Sequence, residues 1–217
     1  MPIQLQGNSG VTTEVEDSST RALRAVVKPL GYGTLGHYRT NHRCVLVAAQ
    51  AANSRLFEMR NTGTNLIVPT RLVLRAVQSA AGTAQEASID VFRATSFTAV
   101  DTTNTVTPTA SVRRTATMAA APGGAALRGV TVAGAAAGMT GGTLTKDGNS
   151  AGRLPLVVGT AASQVLFMAD ILDDVNGTHP FALAQNEGLI VENRALNTTS
   201  YGFSLYIDLS WAEVTAF

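Results

Sequence analysis

The sequence predicts an all-β domain, either a β-sandwich or a jelly-roll-like antiparallel fold, that follows an extended N-terminal arm. Apolar and polar residues alternate without a break from Phe203 to Trp211, which is the pattern of a strand with one face on a core. Short apolar segments recur along the chain, and Gly, Pro, Asn and Asp separate them. A length of 217 residues is common for a single all-β domain, so we expect no division into two.

Residues 1–20 form the predicted arm, because they are polar and show no helical pattern of apolar residues. Their isolated apolar side chains are those of Ile3, Leu5, Val11 and Val15. We expect the arm to be disordered or to dock in extended form on another protein. In the second case, the pairs Ile3/Leu5 and Val11/Val15 could each add a short strand to a neighbour's sheet edge.

Residues 21–217 are predicted to form the β domain. Its first strand begins at Arg21, has Leu23, Ala25 and Val27 on one face, and ends at the following proline and glycines. The further predicted strands are Cys44–Ala49, Arg55–Arg60, Arg71–Gln78, Ala87–Ala94, Leu154–Thr160, Gln164–Ala169, Gly188–Arg194 and Gly202–Glu213. The sequences that suit tight reversals are Asn61–Gly63, Asp147–Asn149 and Asn176–Gly177.

The last predicted strand has two clearly different faces. Its apolar face consists of Phe203, Leu205, Ile207, Leu209 and Trp211. Its polar face consists of Ser204, Tyr206, Asp208 and Ser210. A helix would place neighbouring members of the apolar set about 200° apart and scatter them. We therefore expect a strand whose apolar set lies on the core.

Two segments depart from the strand pattern. Residues Val47–Leu56 contain four alanines, and helix propensity predicts a short helix there. Residues 115–145 form a low-complexity insertion of Ala, Gly and Thr in which Arg128 is the single charged residue. Two interpretations of the insertion stay open: a flexible loop, or a tightly packed β-arm or loop at a subunit contact. The strand-forming residues of Val130–Val132 and Leu144 fit the second.

Charged residues make up 14% of the chain, against about 25% in an ordinary soluble domain. Thr, Ala, Gly, Ser and Asn take their place, so the expected surface is polar without being ionic. Because the centres of protein interfaces are depleted of Lys, Glu and Asp, this composition suits a subunit with close neighbours. The net charge of +1 argues against nucleic acid as a main partner, since phosphate binding requires clustered Lys and Arg.

The sequence also predicts the compartment. The single cysteine, Cys44, allows no intrachain disulfide, so the fold does not depend on oxidising conditions. The first residues lack the basic start and apolar run of a signal peptide. The weakly apolar stretch 118–139 is mostly Ala and Gly and contains Arg128, which makes it a poor membrane span. We expect a protein that is made in a cytoplasm, stays soluble there and binds no membrane.

Two short motifs of enzymes occur without the context that their chemistry needs. Residues Gly31–Gly36 match the dinucleotide fingerprint G-x-G-x-x-G, but no amphipathic helix follows to hold a pyrophosphate at its N-terminus. Residues Gly148–Gly152 match G-x-S-x-G around Ser150, but neither a buried strand before it nor a helix after it is predicted. We interpret both as glycine turns and predict no catalytic residue and no cofactor.

Metal sites are equally weakly predicted. His37, His42 and Cys44 lie close together in the sequence, but three ligands without a fourth make a poor zinc site. The acidic residues Asp170, Asp173 and Asp174 lack the spacing of a calcium loop, and we interpret them as part of a solvated turn. No metal ligand is therefore predicted.

Several segments of the sequence are familiar as a set. They are Thr20–Ala25, Pro29–Gly33, Ile89–Ala94, His179–Val191 and Ser210–Val214. Together they resemble small virion structural proteins of tailed bacteriophages, over most of the chain except residues 100–150. The resemblance implies a head-associated role such as capsid decoration, also called cementing, and it transfers no binding residues.

We therefore expect a structural protein of a virion, at the capsid surface, that binds itself and a major capsid protein. The expected state is a homo-oligomer, with a trimer as the leading candidate, and multiple equivalent sites would raise its affinity for the shell. The predicted assembly contacts are Ile3, Leu5, Val11, Val15, Arg128, Val130 and Val132. The alternative is a tail or fibre module that binds host glycans through exposed aromatic side chains, for which Tyr32, Tyr38 and Tyr201 are the candidates.

Overall fold

The computed structural model describes residues 3–6, 12–15, 35–46, 51–103, 105–112, 122–133, 138–160, 166–173, 182–194 and 202–215. These residues form fourteen β-strands and no helix, which confirms the predicted all-β class. The strands are β1 (Ile3–Gln6), β2 (Thr12–Val15), β3 (His37–Leu46), β4 (Ser54–Asn61), β5 (Leu66–Ala80), β6 (Gln85–Ala99), β7 (Ala110–Val112), β8 (Ala125–Gly129), β9 (Val132–Ala133), β10 (Thr143–Lys146), β11 (Gly152–Val158), β12 (Leu166–Asp173), β13 (Gly188–Asn193) and β14 (Gly202–Val214). In these ranges, no helix exists that could cross a membrane.

The strands form two six-stranded sheets and one separate hairpin. Sheet I has the order β10-β6-β13-β4-β8, and β11 also pairs with β6. Sheet II has the order β12-β5-β14-β3-β7, and β9 also pairs with β3. Four antiparallel pairs are nested: β3 with β14, β4 with β13, β5 with β12, and β6 with β11. This nesting is that of a long hairpin rolled into two sheets, so the jelly-roll form of the predicted fold is the one observed.

The two sheets enclose one apolar core that draws on eight strands of the roll and its insertion. All five residues of the predicted apolar face of β14 are buried in it. The side chain of Trp211 stacks obliquely on Tyr38, with 5.7 Å between the ring centroids. On the opposite face of β14, Tyr206 is exposed, which agrees with the alternation in the sequence.

Most predicted strands are confirmed, and the predicted helix is wrong where it can be compared. Within Val47–Leu56, residues 54–56 belong to β4, and residues 47–50 lie outside the described ranges. The side chain of Leu56 is fully buried in the core. Tertiary packing in a central strand therefore overrides the local helix propensity of the alanines. The predicted strand that begins at Arg21 also lies outside the described ranges.

The insertion between β6 and β11 extends both sheets on the side where β3 and β4 lie. Strand β8 pairs with β4, while β7 and β9 pair with β3. Strand β10 pairs with β6 on the opposite side. The described part of 115–145 therefore contributes β8, β9 and most of β10 to the two sheets, and a place at a subunit contact stays a prediction. Residues 113–121 and 134–137 are not described.

The N-terminal arm contains a short hairpin of its own. Strands β1 and β2 pair antiparallel with each other, with Ile3 opposite Val15 and Leu5 opposite Thr13. One edge of each strand is thus paired within the arm, and docking of Ile3, Leu5 and Val15 on a neighbour stays a prediction. Val11 lies outside the described residues.

Candidate assembly surface

The two enzyme-like motifs lead into strands. Strand β3 begins at His37, directly after Gly36, so a strand follows where a nucleotide site requires a helix. Residues 148–151 form a bend, and β11 begins at Gly152. Residues 148–151 thus have the bend character that the sequence predicts, whereas residues 31–34 of the first motif lie outside the described ranges.

The three metal-ligand candidates are separated by the pleat of β3. His42 and Cys44 point into the core, whereas His37 lies on the other face of the strand, 3.1 Å from Thr70 Oγ1. His42 Nε2 donates to the carbonyl oxygen of Val130 at 2.7 Å, because a carbonyl can only accept. Burial lowers the pKa of His42, although this hydrogen bond opposes the shift. In the part of the chain that the structure describes, no three His, Cys, Asp or Glu side chains are arranged to hold a metal ion.

The predicted contact residues of the insertion lie within the fold to different extents. The side chain of Val130 is 1% exposed in the core and offers no surface to a partner in this structure. Arg128 is half-buried on β8 and donates to Thr107 Oγ1 at 2.7 Å. The backbone of Val132 pairs in parallel with Val45 of β3. Roles of Arg128 and Val132 in assembly stay predictions.

The aromatic residues predicted to bind glycans require one correction. Tyr38 is fully buried, and its hydroxyl donates to the carbonyl oxygen of Leu35 at 3.0 Å. It is therefore a core residue and not an exposed glycan contact. Tyr32 and Tyr201 lie outside the described ranges. The exposed tyrosine that the structure does describe is Tyr206.

The outer face of sheet I is covered, first by the insertion. Arg55 of β4 donates to Glu58, to the carbonyl oxygen of Gly141 and, at 3.1 Å, to that of Met139. Asp101 accepts the amide of Gly141 at 2.7 Å, and its own amide lies 3.3 Å from Glu58 Oε2. We call Arg55, Glu58 and Asp101 the clasp, because together they hold both ends of the insertion on β4.

Burial governs the electrostatics of the clasp. Glu58 is fully buried, which raises its pKa from 4.5 to about 7 against the opposing effect of the Arg55 guanidinium. Burial also acts to raise the pKa of Asp101, but the amides of Thr103 and Gly141 outweigh it, so the pKa of Asp101 is lowered. The pKa values of the two carboxyl groups are therefore shifted in opposite directions, because burial prevails at Glu58 and the hydrogen bonds prevail at Asp101.

The rest of this face is covered by long cationic side chains. The buried carboxylates of Asp90 and Glu192 lie side by side on β6 and β13. Arg153 binds Asp90 with two hydrogen bonds of 2.8 Å, and Lys146 binds Glu192 at 2.7 Å. The Lys146 ammonium also lies 4.7 Å from the ring centroid of the buried Phe92. The carboxylates are thus paired and the apolar patch around Phe92 is screened, whereas Val157 on β11 is 58% exposed on the same face.

The middle of the outer face of sheet II is more exposed to solvent. The strands β3, β14, β5 and β12 contribute side chains to it in register. Its central row runs across the strands through Arg43, Tyr206, Arg75 and Met168. The next row along the strands contains Asn41–Asp208–Val73–Asp170, and the row beyond it contains Arg39–Ser210–Arg71–Asp173. Met168 is 63% exposed and Tyr206 is 38% exposed, and they are two of the four large apolar or aromatic side chains exposed among the described residues. We call this surface the arginine face.

Ion pairs order part of the arginine face. Arg75 lies 2.8 Å from Asp208, and Arg71 lies 3.5 Å from Asp170. Arg43 donates to Ser204 Oγ at 3.1 Å, and its guanidinium carbon lies 5.9 Å from the ring centroid of Tyr206. These pairs are exposed and contribute little stability, but they position the guanidinium groups around the tyrosine.

The arginine face could not be found from the sequence, although its central strand could. The polar set of β14 that includes Tyr206 is visible as alternation, but the arginines lie on β3 and β5, far away in the chain. Only the register of three strands brings Arg43 and Arg75 to either side of the tyrosine. A comparison with known proteins finds no family model, no curated protein and no solved structure that matches this chain.

Proposed function

We propose that this protein is a structural virion protein of a tailed phage, and that it decorates and stabilises the head shell. The observation that carries the proposal is the asymmetry of the two outer faces. The central strands of sheet I are covered by the insertion and by ion pairs, and among its described residues the exposed large apolar side chain is the lone Val157 on β11, whereas sheet II presents Tyr206 and Met168 to solvent among arginines. The middle of sheet II therefore offers aromatic, apolar and cationic side chains together to a partner.

The chemistry of the arginine face supports a protein partner. Tyr, Met and Arg are the residue types enriched in interfaces, and Tyr and Arg are common where binding energy concentrates. A jelly roll is an architecture that viral capsid domains use, which agrees with the proposal as an analogy of fold. Weak single contacts suffice on a shell, because a homo-oligomer engages several equivalent sites at once.

Co-sedimentation with head shells tests the proposal. The full chain would be incubated with shells of the phage that encodes it, and the pelleted fraction measured together with the mass of the free protein by light scattering. We expect saturable binding, a free oligomer, and an increase in the temperature at which the shells open. A monomer that stays in the supernatant at all shell concentrations would contradict the proposal.

The second candidate function is a glycan-binding module of a tail or fibre. The exposed ring of Tyr206 favours it, because sugar rings stack on aromatic side chains and lectins also use jelly rolls. A glycan array distinguishes the two, since the decoration role predicts no bound glycan. Binding that is abolished in Tyr206→Ala but not in Val157→Ala, which shortens an exposed side chain on sheet I, would support this candidate instead.

A further inference from the structure

The charges of the arginine face are unevenly distributed between its strands. Its described side chains include four arginines and two aspartates, and the register places a third aspartate, Asp173, opposite Arg71 of β5. Asp170 and Asp208 pair with the arginines of β5. The excess of positive charge therefore lies on β3, at Arg39 and Arg43, which are both exposed.

Arg43 and Tyr206 together form a flat, partly apolar anchor. The guanidinium lies near the ring of Tyr206 and is oriented by Ser204 Oγ, so its planar fork is largely fixed before binding. An oriented arginine loses less conformational entropy when it binds a carboxylate and can bind it with two hydrogen bonds. On the other side of Tyr206, Arg75 is already held by Asp208. The surface thus offers one oriented arginine, Arg43, beside the aromatic ring of Tyr206.

The same charges disfavour two other occupants. A second copy docked face to face would bring Arg39 and Arg43 toward another net positive face, which is repulsive. A nucleic acid strand laid across the sheet would bring phosphates close to Asp208 and Asp170, which lie in the row next to Tyr206. Single-strand binding platforms instead combine stacking aromatics with an uninterrupted cationic groove. A protein surface with discrete carboxylates fits the pattern better, because its charges can match the arginines and avoid the aspartates.

We infer that the arginine face docks on an acidic protein surface, with Arg39 and Arg43 as the binding cations and Tyr206 as the central contact. This inference rests on the proposed function and adds the chemistry of the partner. The shell protein would then present Asp or Glu side chains at the decoration site, and the affinity would fall with increasing salt.

Fluorescence anisotropy with two labelled probes tests the inference on the full chain. One probe is an oligoglutamate peptide and the other an oligothymidylate of equal charge. We expect the peptide to bind, and the double variant Arg39→Glu/Arg43→Glu to weaken it about tenfold or more, since each exposed ion pair contributes up to about 1 kcal/mol. Arg43→Gln should weaken it about twofold to fivefold. The matched control Arg60→Gln removes one charge from β4 of sheet I and should leave peptide binding unchanged. Thermal unfolding of each variant verifies that it is folded.

Three results would overturn the inference. They are equal peptide binding by the wild type and the double variant, equal weakening by Arg43→Gln and Arg60→Gln, and tighter binding of the oligothymidylate than of the peptide. The shell experiment separates this inference from the proposed function. If the double variant sediments with shells as the wild type does, the function stands and the acidic docking site is wrong. If the wild type binds the peptide selectively but never the shells, the acidic specificity stands and the function is wrong.

Discussion

Replacing Glu58 with Gln removes a buried carboxyl group from the clasp and keeps the size of the side chain. In the folded chain, burial raises the pKa of Glu58 from 4.5 to about 7. Between these values the folded protein keeps a proton that the unfolded chain has lost. The free energy of unfolding contributed by this group therefore falls as the pH rises from about 4.5 to about 7.

The size of the effect follows from the displacement of the pKa. One pKa unit corresponds to about 1.4 kcal/mol, so the shift of Glu58 corresponds to roughly 3 kcal/mol. Glutamine at this position is neutral at every pH, so this dependence disappears in the variant. Relative to the wild type, Glu58→Gln should gain up to roughly 3 kcal/mol of stability between about pH 5 and about pH 8. Arg55 keeps two carbonyl acceptors in the variant, at Met139 and Gly141.

Urea unfolding at several pH values measures this difference. The other titrating groups are present in both proteins and cancel in the comparison. Glu187→Gln is a matched control: burial acts to raise the pKa of Glu187, but its hydrogen bonds from Arg93 and from the Ala184 amide lower it. The contribution of Glu187 to the free energy of unfolding is lost only as the pH falls below 4.5. Above about pH 5, the unfolding free energy of Glu187→Gln should therefore change with pH in parallel with that of the wild type. If the difference between Glu58→Gln and the wild type is the same at all these pH values, the carboxylate is ionised throughout and the reasoning is refuted.

Three further predictions concern the fold. In thermal unfolding, Gly129→Ala should lower the free energy of unfolding by about 1–3 kcal/mol, because its Cβ would lie 2.4 Å from His42 Nε2. A Cβ at Gly148 would have no atom within 4 Å, so Gly148→Ala should be nearly neutral. Ile207→Ala should cost about 2–5 kcal/mol in urea unfolding and Tyr206→Ala less than about 1, because the two side chains lie on opposite faces of β14. Burial lowers the pKa of His42, so the wild type should lose stability as the pH falls below 6.5, and His42→Gln should lose less over that range. Equal costs within either pair, or equal acid dependence of wild type and His42→Gln, would contradict these predictions.

The strands that could be predicted from the sequence are those with one clear burial pattern. In the middle of β14, from Leu205 to Trp211, burial follows the alternation of the sequence, whereas both faces are buried toward its two ends. In β13 all six residues are buried, because the covering of sheet I hides its outer face as well. Its sequence is accordingly a nearly continuous apolar run, which still predicts a strand when turn residues flank it.

The first half of β3 could not be predicted, because its inward side chains are polar. Thr40 and His42 point inward, and their partners come from the insertion: the carbonyl oxygens of Thr109 and Val130, at 2.9 and 2.7 Å. These partners lie 69 and 88 residues further along the chain. Buried polar groups are tolerated when hydrogen-bonded, but the sequence alone does not reveal which distant carbonyls satisfy them.

The small residues of the insertion have a cause within the chain, and this changes where an interface should be sought. A Cβ at Gly129 would clash with His42, and one at Gly124 would lie 2.9 Å from the Asn61 side chain. Gly138 is similarly close to Ser54. Close backbone approach to β3 and β4 therefore requires glycine at these positions, with no second subunit involved. The composition of 115–145 thus ceases to be an argument for a subunit contact. The argument for a partner depends instead on the arginine face, where Tyr206 stays exposed on a sheet that this insertion does not cover.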